Sequence, residues 1–121
     1  RPWPVHDAVY GTQINYRGAM MAQLQAAPWQ TVLEQNAPDL LKNVLGVREA
    51  VLQEGALSLK VKIMMTMLCD ALLGHADGVG NIANRARAAG ATEEEIAETV
   101  GVAFLFGGTP ALVTAANAFR K

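Results

Sequence analysis

A long apolar segment between two glycines, Gly55 and Gly74, limits the folds open to this chain. From Leu57 to Leu73 the segment consists largely of Leu, Met, Ile and Val, and in a helix these side chains would cover most of the circumference. A helix that is apolar on nearly all sides is typical of the centre of a protein. The pattern therefore predicts a helix over residues 57–73, buried at the centre of the domain.

Segments with a helical spacing of apolar residues also lie on both sides of this helix. Glycine or proline separates them, and the predicted helices cover about 12–26, 29–35, 38–54, 75–89, 92–106 and 110–119. The clearest helix start is Thr92, because Glu95 follows it three residues later, as in a capping box. The pair Gly107-Gly108 predicts a helix end.

The expected fold class is therefore all-α. Short connections, and a sequence without the alternating pattern of a strand, favour an antiparallel helical bundle of five to seven helices in a single domain over residues 1–121. Pro2 and Pro4 restrict the backbone near the start of the chain, so residues 1–8 are expected to form an extended arm.

The composition excludes several classes of protein. Lys and Arg number 10 and are scattered, and the net charge is −1, whereas a nucleic-acid partner requires clustered positive charge. The longest apolar run is shorter than the roughly 20 residues of a membrane span, so no membrane partner is expected. The single cysteine suits a reducing compartment, which predicts a cytoplasmic location. Hydrophobic residues make up 51% of the chain, which predicts self-association.

Three short motifs follow one another in the second half of the chain. They are GALSLKVK at residues 55–62, GATEEEIAE at residues 90–98 and GGTPA at residues 107–111. Their order and spacing resemble the core of the carboxymuconolactone decarboxylase and alkylhydroperoxidase-D-like family, with a weaker similarity at residues 37–40. The resemblance implies a helical core over residues 37–119 of the alkylhydroperoxidase-D-like type, and a homo-oligomer that is a trimer or a hexamer.

The chain departs from that family at the positions that carry its chemistry. The peroxidase-like members have a CxxCxxxH motif and a glutamate on the preceding helix, and the flanking motifs place these four positions at His75, Gly78, Ile82 and Ile63. The Glu-x-x-x-His pattern of the decarboxylase members falls on Gly78 and Ile82. Dithiol peroxidase activity is not expected, because a second cysteine to resolve an oxidised thiol is missing.

His75 and Asp70 are the predicted catalytic residues. An imidazole takes up or releases a proton near neutral pH, and residues 75, 78 and 82 share one helical face. We expect His75 to face a mostly apolar cavity, in which Gly78 leaves room for a ligand and Ile82 forms a wall. Asp70 interrupts an apolar helix and needs a partner there. It orients His75 or accepts a proton from the substrate, or it makes a purely structural hydrogen bond to a helix end, an Arg or a Lys. His75 itself has an alternative structural role, as a helix-start residue bonded to a backbone carbonyl.

Cys69 and Lys62 complete the predicted substrate-binding residues, together with Gly78 and Ile82. Because Cys69 stands among methionines, it is expected to be a buried thiol that fills the core rather than a nucleophile. Lys62 either flanks the start of its helix or holds a carboxylate of the substrate. The two histidines are far apart and have no further ligand at metal-binding spacing, so neither a metal nor a cofactor is expected.

Two functions of different classes remain for this chain. The first is a decarboxylase-like or lyase-like enzyme that needs no cofactor and uses His75 for proton transfer, in decarboxylation or isomerisation of a small carboxylate or lactone-like substrate. The second is a non-catalytic oligomeric binding or scaffold protein. A peroxidase-like antioxidant activity through Cys69 is a third, weaker alternative.

Overall fold

The computed structural model describes residues 28–120, and within this range the chain is helical without strands. The elements are α1 (Pro28–Asn36), α2 (Pro38–Leu52), α3 (Leu59–Leu72), α4 (Ala76–Ala88), α5 (Glu93–Ala115) and a 3-10 helix (Ala116–Phe119). The predicted all-α class is confirmed. The expected arm over residues 1–8 and the expected helix over residues 12–26 lie outside the described residues. Contacts divide the chain into two compact units, Arg1–Ala56 and Leu57–Lys121.

In the first unit, helices α1 and α2 follow each other with a sharp break. The Asn36 side chain donates to the backbone carbonyl of Val32 at 2.8 Å, and Pro38 lies in the first turn of α2, where a backbone donor is not needed. The guanidinium of Arg48 lies 5.8 Å from the ring centre of Trp29, and this cation–π contact links the two helices. The break predicted between Asn36 and Pro38 is confirmed.

In the second unit, Ser58 caps the start of α3, and its hydroxyl accepts a hydrogen bond from the backbone N–H of Val61 at 3.2 Å. The helix buries a single stripe of residues spaced four apart: Leu59, Ile63, Met67 and Ala71. Met65 and Leu72 are exposed, and so is Leu73, the residue that follows the helix. Residues four apart lie on one face of a helix, so α3 buries a single face. The prediction that this segment is buried on nearly all sides is therefore wrong for the single chain.

Helix α4 turns its small and branched residues toward the core of the second unit. Its buried residues include Val79, Ile82, Ala83 and Ala86, as the sequence predicted. The helix is followed by Gly90, whose φ of 98° lies in the left-handed region that favours glycine. This confirms the predicted end of the helix.

Helix α5 starts with the predicted capping box. The Thr92 hydroxyl accepts from the backbone N–H of Glu95 at 3.1 Å, and the Glu95 carboxylate accepts from the backbone N–H of Thr92 at 2.9 Å. The same carboxylate pairs with Nζ of Lys60 at 2.9 Å, which joins α5 to α3. The hydrogen bond from Lys60, followed by the one from Thr92, lowers the pKa of Glu95.

Gly108 interrupts α5, with φ of 68° and ψ of −162°. Helical conformation resumes at once, and Pro110 lies in the first turn after the break, so the stop predicted at Gly107-Gly108 is confirmed. Gly107 lies against α3, since a β-carbon added there would come within 2.8 Å of Leu72 Cδ2. The two glycines therefore serve a change of direction and a close helix contact.

The α5 segment also bears on the expectation that the chain does not enter a membrane. By length and composition alone, the stretch Glu93–Phe119 is long and apolar enough to be a membrane span, the one such helix among residues 28–120. One face of this stretch is buried within the protein, and its buried residues include Ile96, Val100 and Ala103. The absence of a membrane partner stays a prediction.

Arg87 of α4 holds three elements together. Its Nε and Nη2 atoms lie 2.6 and 3.1 Å from the two carboxylate oxygens of Glu93, at the start of α5. Nη2 also donates to the backbone carbonyl of Ala118 in the 3-10 helix at 2.8 Å. The hydrogen bonds with Glu93 raise the pKa of Arg87, so this residue stays charged.

Candidate functional site

The candidate site lies at the turn between α3 and α4, and the backbone of this turn builds it. Leu73 follows the last residue of α3, and Gly74 takes a left-handed φ of 81°. The backbone N–H of His75 then donates to the carbonyl of Asp70 at 2.9 Å, and the N–H of Gly74 donates to the carbonyl of Ala71 at 3.3 Å. These two bonds form a Schellman motif, which brings the residue after the glycine back beside the last turn of the helix.

The turn brings the two predicted catalytic side chains into contact. His75 Nδ1 lies 2.9 Å from Asp70 Oδ1. The Asp70 side chain is 23% exposed, whereas the His75 side chain is 59% exposed. Of the alternatives open for Asp70, the structure shows the contact with His75, whereas catalytic roles for the two residues stay predictions. We call these two residues the Asp70–His75 pair.

Gly78 has a different role from the predicted one. A β-carbon at Gly78 would overlap Oδ2 of Asp70 and lie 2.9 Å from its Cγ. The space beside the glycine is thus filled by the Asp70 carboxylate, and the prediction that Gly78 leaves room for a ligand is wrong. Because Gly78 lies in the first turn of α4, the carboxylate also lies near the N-terminal end of that helix.

The surroundings of His75 also differ from the predicted cavity. The imidazole is exposed rather than enclosed, and the neighbouring Leu73 is 68% exposed. Ile82 is buried in the core of the second unit. Within the described part of a single chain, the expected apolar enclosure around His75 is therefore not formed.

Cys69 and Lys62 are the remaining predicted site residues. Cys69 is exposed on α3, so the expectation of a buried thiol is wrong for the single chain. The sequence did not reveal this, because a helix with apolar residues on most sides does not show which side faces the core. Lys62 is half-buried and interacts with other groups of the chain. Substrate roles for these two residues stay predictions.

A groove between α3 and α5 is a further feature, which the sequence did not indicate. Its volume is about 310 Å³, and it is lined by Val61, Met64, Met65, Leu68, Glu95, Glu98, Thr99 and Val102. We call it the α3–α5 groove. Sequence spacing gave no signal for it, since the groove arises from the way in which two helices pack. Among residues 28–120, no group of three His, Cys, Asp or Glu side chains is placed to hold a metal ion.

Residues 38–121, more than half of the chain, match the sequence model of the carboxymuconolactone decarboxylase family. The matched region contains both the Asp70–His75 pair and the α3–α5 groove. No curated protein and no solved structure matches the chain significantly.

Proposed function

The chain belongs to the carboxymuconolactone decarboxylase family, and from this membership we propose that it is a cofactor-free enzyme acting on a small carboxylate or lactone-like substrate. The reaction is a decarboxylation or an isomerisation, in which His75 transfers a proton and Asp70 orients the imidazole. The observation that carries the proposal is the 2.9 Å contact between His75 Nδ1 and Asp70 Oδ1. A carboxylate next to an imidazole is a common arrangement for general acid–base catalysis.

The contact assigns a role to each nitrogen of His75. Since a carboxylate only accepts hydrogen bonds, Nδ1 carries a proton toward Asp70, and Nε2 keeps its lone pair. In an isomerisation, Nε2 removes a proton from a carbon next to a carbonyl group and returns it to another carbon. In a decarboxylation, Nε2 first takes up a proton from solvent, and the imidazolium then gives this proton to the carbon that loses carbon dioxide. Asp70 stabilises the imidazolium in both reactions.

Because His75 is exposed, the proposal also requires a group that keeps water away from its imidazole. Proton transfer to and from carbon benefits from the exclusion of water, and a side chain that is 59% exposed does not provide it. We propose that a second copy of the chain covers the exposed apolar residues beside the pair, Leu72 and Leu73, and thereby encloses the substrate. The assembly is a trimer or a hexamer, as the family resemblance implies, and the cytoplasm is its proposed location.

The test is deuterium incorporation from D2O into a panel of carboxylated lactones and unsaturated carboxylates, followed by NMR together with carbon dioxide release. His75→Gln should lower the rate by about 100-fold or more, the usual contribution of a general acid or base. Asp70→Asn should lower the rate and change the pH–rate profile, because it removes the carboxylate beside the imidazole and leaves the imidazole in place. Asp77→Asn is the control, since Asp77 pairs with Arg120 at 3.1 Å instead. Full activity of His75→Gln would contradict the proposal.

The second candidate is a non-catalytic oligomeric binding or scaffold protein. The observation that favours it is again the exposed imidazole, in a chain where the positions of both known sets of family catalytic groups hold other residues. This candidate predicts a well-defined assembly that exchanges no carbon-bound proton in any substrate of the panel. In such a protein, His75→Gln would change neither the mass of the assembly nor its stability.

A peroxidase-like activity through Cys69 is the third candidate. The thiol is accessible, but it is the single cysteine of the chain, so a sulfenic acid formed on it has no resolving thiol in the same molecule. We expect no dithiol-dependent hydroperoxidase turnover, measured as peroxide consumption coupled to a thiol reductant. Cys69→Ser should leave any native activity in place. Peroxide turnover that Cys69→Ser abolishes would restore this candidate.

A further inference from the structure

The α3–α5 groove is a surface of the second unit that the proposed chemistry does not use. On α3 it is lined by positions 61, 64, 65 and 68, whereas the buried stripe of that helix occupies positions 59, 63, 67 and 71. It therefore lies on a different side of α3 from the residues packed in the core. We propose that the α3–α5 groove binds a small amphipathic cation, namely a flexible alkyl chain that ends in an ammonium group.

The apolar lining of the groove determines the body of this ligand. Val61, Leu68 and Val102 provide branched walls, and Met64 and Met65 provide side chains that adapt to an irregular shape. The volume of about 310 Å³ lies at the lower end of the range for small-molecule sites, roughly 300–1,000 Å³. A single flexible chain suits such a groove better than a rigid ring system, because thioether side chains repack around it.

The polar groups of the groove determine the head of the ligand. Glu95 is already neutralised by Lys60 at 2.9 Å. The Thr99 hydroxyl donates to the carbonyl of Glu95 at 2.8 Å and lies 3.8 Å from the sulfur of Met64. The side-chain carboxylate of Glu98, in contrast, makes neither a hydrogen bond nor an ion pair within residues 28–120. It is thus the lining group left to bind a ligand, and its negative charge selects a cation and repels an anion.

The test is a titration of the full-length protein with n-octylammonium, kept below its micelle concentration, and with octanoate as the anion of matched length. Methyl-13C methionine labelling gives the readout, since Met64 and Met65 line the groove while Met67 is 1% exposed in the core. We expect n-octylammonium to shift the signals of Met64 and Met65 in a saturable way and to leave Met67 unchanged. Octanoate should bind about two- to fivefold more weakly, as expected for an exposed charge contact.

Two matched substitutions test the role of the carboxylate. Glu98→Gln should remove the preference for n-octylammonium over octanoate, whereas Glu94→Gln should keep it, because Glu94 is an exposed glutamate of the same helix that does not line the groove. Both positions are at the surface, so both variants should fold. Equal binding of the two probes to the unmodified protein would overturn the proposal. Signals of Met64 and Met65 that change with protein concentration and not with either probe would also overturn it, since a second copy then covers the groove.

Discussion

Gly78 and Asp70 depend on one another. Asp70 Oδ2 occupies the place where a β-carbon of residue 78 would lie, and Asp70 Oδ1 is the atom that contacts His75. A glycine in a helix normally costs about 0.5–1 kcal/mol relative to alanine. At position 78 the absence of a β-carbon lets the Asp70 carboxylate approach the first turn of α4 and contact the imidazole of His75.

We predict that Gly78→Ala separates Asp70 from His75. The added methyl group would overlap the carboxylate, which must rotate away, so the helix-forming gain of alanine is offset by the lost contact. Histidine 15N NMR should show His75 with its proton on Nδ1 in the unmodified chain, and a shift toward the Nε2 tautomer in Gly78→Ala. An unchanged tautomer would refute this account.

Gly101→Ala is the control for stability. Gly101 is also a helix glycine, but a β-carbon there would meet nothing within 4 Å. Gly101→Ala should therefore raise the free energy of unfolding by about 0.5–1 kcal/mol, and Gly78→Ala should raise it less. In an Asp70→Ala background the two substitutions should have equal effects. Urea unfolding of the unmodified chain, Asp70→Ala and both glycine variants in each background measures this.

The sequence offered the contact between Asp70 and His75 as one alternative, and it did not indicate the surroundings of the two side chains. The contact is local, because the two residues are five apart and a glycine before His75 marks the end of a helix. The role of Gly78 depends on which rotamer Asp70 adopts, and the exposure of Cys69 depends on which face of α3 meets the other helices. Neither is set by neighbouring residues in the sequence.

At the scale of helices, boundaries were predicted better than buried faces. The capping box of Thr92 and Glu95, the glycine after α4 and the break at Gly108 all follow from interactions within a few residues, and all are confirmed. In α3 the apolar residues cover most of the circumference, so the sequence contained no contrast between an inner and an outer face. For the same reason, the sequence did not indicate which residues of α3 line the α3–α5 groove.

Glu95 gives a prediction about the dependence of stability on pH. Its pKa in the folded chain is below the ordinary value of 4.5, because of Lys60 first and Thr92 second. The stabilisation is therefore complete above that value and is lost as the pH falls through the lowered pKa. Glu95→Gln keeps the capping box but not the charge. The difference in unfolding free energy between the unmodified chain and Glu95→Gln should be present near neutral pH and close in acid.

Chemical denaturation at a series of pH values measures this difference. Glu94→Gln is the control, because Glu94 is an exposed glutamate in the same helix turn whose carboxylate takes no part in the capping box. Its difference from the unmodified chain should stay small across the series. If the difference for Glu95→Gln were the same at neutral and acidic pH, the ion pair with Lys60 would have no part in stability.

At the scale of the whole molecule, apolar surface is the dominant feature. Phe106 is 86% exposed, Leu105 is 75% exposed and Leu73 is 68% exposed in the single chain. Scattered apolar residues are normal on a protein surface, but exposed aromatic and leucine residues next to each other mark an interaction site. The hydrophobic fraction of 51% predicted such an excess, although it did not predict where on the chain the excess lies.

We predict that this surface is buried between copies of the chain, in a trimer or a hexamer that forms in aqueous buffer without detergent. Phe106→Ser should raise the protein concentration at which the assembly dissociates by about tenfold or more. This is the effect expected when an aromatic residue at the centre of an interface is removed. Phe106 contributes little to the fold of one chain, so the variant should still be helical by circular dichroism. Light scattering with size-exclusion chromatography gives the mass, and Asn81→Ser, an exposed polar position on α4, is the control.

A monomer at micromolar concentration would contradict the prediction. A chain that needs detergent to stay in solution would instead favour a membrane role for the stretch Glu93–Phe119, because its apolar side chains would then be covered by lipid.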